Sequence, residues 1–163
     1  MSQFPDFAST GVPSDCDPAI AEAVQYWLSI APADSLPGRQ HLDPADIPRL
    51  LRYVWLIDVH REPLRFVFRL VGTGVVDYFG RDPTGRDLTD VFDGFADSVT
   101  YKDFCEIVET PAPRWRRGSP VLDHLKEIPW LERIYLPFAR NGTDVDMIFC
   151  LSRFGDGSSP NRS

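Results

Sequence analysis

Three observations predict an α+β domain built on one mainly antiparallel sheet. Strand-forming runs fall into two groups, 53–71 and 115–153, each with a hairpin signal. The stretch 73–110 between them has helical periodicity. The regular strand–helix alternation that a parallel, doubly wound sheet requires is absent. The 163 residues suit one domain with a real core.

Residues 1–16 are rich in Ser, Pro, Asp and Gly without apolar periodicity, as are residues 154–163, and both ends read as flexible tails around a domain spanning 17–153. Asp17-Pro18 is a cap followed by a helix-opening proline. Ile20, Ala23, Val24, Trp27 and Leu28 then mark one face of a helix that ends near Ile30. That amphipathic helix can cover the domain's own sheet or form a dimer seam. Asp43-Pro44 opens a short helical turn through Leu51. Tyr53–Val59 and Leu64–Val71 are strands joined at Glu62-Pro63. Alternation puts Leu64, Phe66, Phe68 and Leu70 on one face of the second strand and Arg65, Val67 and Arg69 on the other.

Thr73–Phe79 reads as a short helix and Leu88–Phe92 as an irregular turn. A longer helix carries Phe95, Val99, Phe104, Ile107 and Val108 and stops before Pro111. Strands follow at Trp115–Leu122, Leu131–Phe138 and Val145–Arg153, the last two joined through Asn141-Gly142, a pair that accepts the positive φ of a hairpin turn. In the final strand Val145, Met147, Phe149 and Leu151 share one face.

A net charge of −7 argues against a partner made of phosphate backbone, and no apolar run approaches the ~20 residues of a membrane span. The expectation is a cytoplasmic protein that binds neither nucleic acid nor membrane. Cys16, Cys105 and Cys150 have no paired spacing and read as reduced thiols, and His41, His60 and His124 lack metal-ligand spacing. Gly72-Thr73-Gly74 lacks the third glycine of a dinucleotide loop and has Asp77 there instead, so a helix start is the better reading. Arg114-Trp115-Arg116-Arg117 is split by strand alternation between two faces, which suits a guarded sheet edge more than a phosphate-contacting strip.

Phe68-Arg69-Leu70-Val71-Gly72-Thr73, Phe79-Gly80-Arg81-Asp82-Pro83-Thr84-Gly85-Arg86, the upstream Pro37-x-Arg39-x-x-x-Asp43-Pro44 and the downstream Arg133-Ile134-Tyr135-Leu136-Pro137-Phe138 with Asn141-Gly142 together resemble the signature of a small bacterial PAS-like family, over roughly Ile20 to Leu151. The resemblance implies a five-stranded antiparallel sheet with helices on one face, plus the N-terminal amphipathic helix, enclosing a small pocket. It implies a non-catalytic sensory or regulatory role. No kinase, cyclase or DNA-binding segment is recognisable, so the expectation is a stand-alone domain that acts through an unidentified signalling partner, as a homodimer, with or without a small-molecule ligand. Neither Cys105 nor Cys150 has the Asn-Cys-Arg-Phe context of flavin light sensors, and no cofactor is specified. Gly74 stands where a side chain covering the pocket is expected, which implies a more open mouth.

For a ligand-binding role the candidates are Phe66 and Phe68 as apolar walls, Thr73 and Tyr78 as hydroxyls, and Arg69 as a carboxylate clamp. Its alternation with Phe68 and Leu70 favours instead the surface or the interface with the N-terminal helix, where Arg69 is an ion-pair partner of Asp77 or Glu132. Two other readings remain: a small pocket enzyme of isomerase or cyclase type using Asp58 or Asp77 with His60 or His124, and a ligand-free dimeric adaptor.

Overall fold

The computed structural model describes residues 3–118 and 130–155. Five strands, β1 (Val54–His60), β2 (Arg65–Val71), β3 (Arg114–Gly118), β4 (Trp130–Phe138) and β5 (Met147–Gly155), form one sheet in the order β2-β1-β5-β4-β3. All neighbours are antiparallel. Helix α1 (Pro18–Ile30) precedes the sheet, and α2 (Thr73–Phe79), α3 (Leu88–Val91) and α4 (Val99–Glu109) lie between β2 and β3. The end of the expected strand 115–122, His124 and the tail 156–163 fall outside the described residues.

Both faces of the sheet are buried. On one, Val54, Leu56, Ile134, Leu136, Phe149 and Leu151 pack with α1. On the other, Trp55, Ile57, Phe66, Phe68, Tyr135 and Cys150 pack with the helical insert. Two adjacent apolar layers therefore share one sheet, and strand alternation assigns each residue to its layer. Phe95, expected within the long helix, belongs to a separate 3-10 turn, because Ser98 caps α4 by accepting from Tyr101 N–H.

Helix α1 covers the sheet of its own chain. Ile20, Ala23, Val24 and Trp27 are buried against it, each large side chain contributing roughly 1.5–3 kcal/mol by leaving water. Strand β3 pairs with β4 only as far as Tyr135, so beyond that point β4 is an edge. Pro137 is tolerated there, and its carbonyl accepts the Trp27 indole N–H at 2.9 Å. The stretch before α1, expected as a loose tail, instead contributes Thr10, Val12 and Cys16 to the interior.

The start of α1 is fixed electrostatically. Glu132, 0% exposed, accepts from Asp17 backbone N–H at 2.7 Å, Trp115 Nε1 at 3.0 Å and Arg117 Nε at 3.0 Å. Asp17 caps the helix by accepting from Ala19 N–H and also meets Arg153 at 3.4 Å. The carboxylate is thus satisfied on several sides, the condition under which a buried charge is tolerated.

Two details depart from simple alternation. Leu56 pairs with Leu70 but Ile57 pairs with Phe68, so Arg69 is an extra residue in β2. The bulge resets the pattern: Leu70, expected on the apolar face, is 45% exposed, and Val71 joins the insert-side core in its place. Val145 precedes β5 and packs on the insert side, not with Met147, Phe149 and Leu151. The outer edge of β2 is closed by residues 85–87, with Phe68 N–H donating to Arg86 O and Gly85 N–H to Phe68 O.

Gly72 and Gly74 are explained by contact with backbone rather than by a pocket mouth. Helix α2 starts against the 3-10 turn Leu51–Tyr53, where a Cβ at Gly72 would overlap the Leu51 carbonyl oxygen and one at Gly74 would lie 2.8 Å from Arg52 O. Gly72→Ala is therefore expected to lower unfolding free energy by at least 1–3 kcal/mol in urea denaturation. Glu132→Ala, which strands Arg117 and the Asp17 amide, is expected to cost about 3–5 kcal/mol in the same measurement. Retention of wild-type stability by Glu132→Ala would show that the network does not anchor α1.

Candidate functional site

A cavity of about 40 Å³ lies between the sheet and the helical insert. Trp55, Leu88, Phe92, Phe95 and Leu131 form its apolar walls, and Phe79 and Phe154 border it. Four polar side chains converge there: Thr100 from α4, Arg133 and Tyr135 from β4, and Ser152 from β5. Arg133 is opposite Ser152 in the β4–β5 register and opposite Arg116 in the β3–β4 register, so all three project from the insert face.

The hydrogen bonding of this group is incomplete. Ser152 Oγ accepts the Trp55 indole N–H at 2.9 Å, and the Tyr135 and Thr100 hydroxyls lie 3.4 Å apart. Arg116 is paired in a two-pronged contact with Asp103 of α4, which is almost wholly buried. Arg133 has no such partner. It is 6% exposed, its Nε is buried without a hydrogen bond, and no ion pair to it forms among the described residues. Desolvating an uncompensated ion typically costs several kcal/mol, so a guanidinium this deeply buried without an anionic partner among the described residues is costly to the fold.

The candidates from the sequence occupy different places. Phe66 and Phe68 lie in the core beside the cavity, where Phe68 packs on Trp55, Phe79 and Phe92 and Phe66 on Phe95 and Phe104. Tyr78 is exposed and stacks on Phe154 at 3.5 Å, at the cavity's border. Thr73 is exposed at the first position of α2. Arg69 projects from the opposite face, where it meets Asp58 at 3.3 Å rather than Asp77 or Glu132.

Asp58, His60 and Arg69 border a separate surface hollow of about 250 Å³ together with Arg39, Arg140 and Asp146. Three guanidiniums and two carboxylates line it; Asp58 is held by Arg69 at 3.3 Å, and Asp146 accepts from the Arg140 backbone N–H at 3.1 Å. The larger hollow, about 320 Å³ beside Trp27 and Leu28, has no buried unpartnered polar atom among its described lining residues. Arg114, Arg116 and Arg117 on edge strand β3 are engaged by Glu106, Asp103 and Glu132 and form no phosphate-contacting strip. Among the described residues no group of His, Cys, Asp and Glu is arranged to hold a metal ion, and no helix is long and apolar enough to cross a membrane.

A sequence-family profile described as PAS domain matches residues 16–151. The chain belongs to the PAS domain family. No curated protein matches it at a significant level. PAS domains are in general sensory or regulatory and typically non-catalytic, and the five-stranded antiparallel sheet with its helical insert is the architecture that the sequence resemblance implied. In this PAS domain the sheet carries α1 on one face and the insert on the other, and the insert side holds the unanswered charge.

Arg133 and Tyr135 both lie within a motif visible in the sequence, and neither is among the ligand-binding candidates read from it. The available signal was positional. Arg133 is flanked at i−2 and i+2 by Leu131 and Tyr135, so alternation alone aims a charge into an apolar layer. What it pairs with is a tertiary fact that spacing does not carry.

Burial pushes the Tyr135 phenol from its ordinary value of 10 up to about 12, opposed by the nearby Arg133 charge. Burial likewise raises the Cys150 thiol well above its usual range. Between pH 10 and 12 the unfolded chain loses the Tyr135 proton that the native state keeps. Stability from this group is thus complete below pH 10 and falls as pH rises toward 12, by roughly 2–3 kcal/mol. Urea denaturation at pH 8, 10 and 11.5 is expected to show this decline, and Tyr135→Phe to flatten it over the same interval. An identical pH dependence in the Phe variant would place the alkaline loss elsewhere.

Proposed function

We propose that this PAS domain is a non-catalytic regulatory module whose signal is a small molecule held in the cavity between the sheet and the helical insert. One observation carries the reading: four polar side chains, one of them charged, converge in a core otherwise built from aromatic and aliphatic groups. Buried polar atoms of this kind usually find a partner, and here the Arg133 Nε–H has none among the described residues. The cavity is bordered by Phe79, Phe154 and, stacked on the latter, Tyr78.

The proposal includes a protein partner that reads the ligand state, and a homodimer, inside the cell. Three free thiols suit a reducing compartment. The apolar stripe of α1 is spent on its own sheet, so a second copy would use another surface. Leu70 and Tyr78 are the large apolar side chains left exposed among the described residues.

Native mass spectrometry of freshly purified protein is expected to retain a small organic molecule that denaturing conditions release, and compounds from a metabolite library are expected to raise Tm. A protein that carries no adduct and whose Tm no compound shifts would instead be a ligand-free adaptor.

A further inference from the structure

We infer that the ligand carries a single carboxylate and that Arg133 is its anchor. This deepens the ligand-binding reading above and rests on it.

Donors exceed acceptors in the cavity. The Arg133 Nε–H is buried and makes no hydrogen bond among the described residues. Because Ser152 Oγ accepts from Trp55 Nε1, a group that can only donate, the Ser152 hydroxyl proton is left for another acceptor. The Tyr135–Thr100 contact consumes one of two hydroxyl protons and leaves the other. A ligand that satisfies this set must accept hydrogen bonds at two or more atoms, and an ionised carboxylate, which only accepts, does so in the planar geometry that a guanidinium fork matches.

The charge balance fixes the valence. Arg116, the cross-strand neighbour of Arg133, is neutralised by Asp103, and Glu132 projects from the other face into its own network. Among the described residues the net excess at the cavity is therefore one positive charge, which a monoanion cancels and a dianionic phosphate overshoots. Size and polarity limit the rest of the molecule. At ~10–15 Å³ per water-sized position, the 40 Å³ cavity has room for about three or four, and the remaining wall is Trp55, Leu88, Phe92 and Phe95. A short apolar tail fits: the ligand class is a small aliphatic monocarboxylate, with longer tails requiring Phe79 or Phe154 to turn outward.

The uncompensated charge also predicts an unusual sign for a core substitution. Replacing a structural buried arginine lowers stability, whereas an arginine kept for a ligand is a liability in its absence. Propionate, its neutral isostere propionamide, and inorganic phosphate serve as probes by calorimetric titration and thermal shift, with wild type and Arg133→Met compared. Propionate is expected to bind wild type and raise Tm. Propionamide and phosphate are expected to bind at least tenfold more weakly. Arg133→Met is expected to lose at least tenfold in propionate affinity while its ligand-free Tm rises above wild type.

An NMR titration of wild type supplies a readout independent of the variant's folding: the Arg133 Nε–H resonance is expected to shift with propionate and not with propionamide. Equal binding of propionate and propionamide, or an unmoved Arg133 resonance while propionate binds, overturns the carboxylate anchor and leaves the ligand-binding reading standing. Tighter binding of phosphate than of propionate overturns the monocarboxylate class. No binding by any probe, together with an empty cavity in native mass spectrometry and a lowered Tm in Arg133→Met, overturns both.

Discussion

Glu132 and Arg133 are adjacent, oppositely charged and buried, yet strand geometry forbids them from neutralising each other. Successive side chains on β4 leave opposite faces of the sheet, so one peptide separates two charges that must each find a partner in a different layer. Glu132 finds one in the Asp17 amide, the Trp115 indole and the Arg117 guanidinium, and thereby fixes where α1 begins. Among the described residues Arg133 has no ion-pair partner and shares its cavity with neutral hydroxyls and aromatic rings. The docking of α1 and the character of the insert-side cavity are consequences of this single dipeptide and of the sheet that holds it flat between two cores.

The same constraint orders the edge strand. Arg114 and Arg116 turn toward α4 and its carboxylates, while Trp115 and Arg117 turn toward α1 and Glu132. Strand β3 is thus stitched to both layers, and its arginines are consumed in doing so. Exposed pairs such as Arg114–Glu106 add little stability by themselves, and the stitching depends on the two carboxylates that are buried, Asp103 and Glu132. Each is matched by a guanidinium from β3, which leaves no carboxylate among the described residues for Arg133.

Much of the fold was legible because periodicity and caps agree. Asp17-Pro18 and the Ile20/Val24/Trp27 spacing give α1 to the residue, and Asn141-Gly142 places the turn before β5, with Gly142 at φ +87°. Other features were hidden for physical reasons. The bulge at Arg69 leaves no mark in the hydrophobic pattern, because Leu70 looks like the next member of an apolar row until the partner register is known. The glycines 72 and 74 are visible in sequence, but the backbone that excludes a Cβ there comes from the turn at Leu51–Tyr53, some twenty residues earlier. The burial of Thr10, Val12 and Cys16 follows from a surface that exists only once β4, β3 and α1 have met.

The site was hardest to read because two arginines carry the same local signature. Arg69 and Arg133 each sit in an apolar strand inside a motif, and both are candidates for binding a carboxylate. Their difference is environmental: the Arg69 side chain is 45% exposed with Asp58 at 3.3 Å, whereas Arg133 is 6% exposed with no anionic partner among the described residues. In water a guanidinium gains little from a new partner, because solvent already solvates it and Asp58 already screens it. In the core, the desolvation cost has been incurred on folding, so an arriving carboxylate recovers nearly the whole interaction. Burial without compensation, rather than residue type or motif, is what singles out Arg133 for the proposed ligand-binding role.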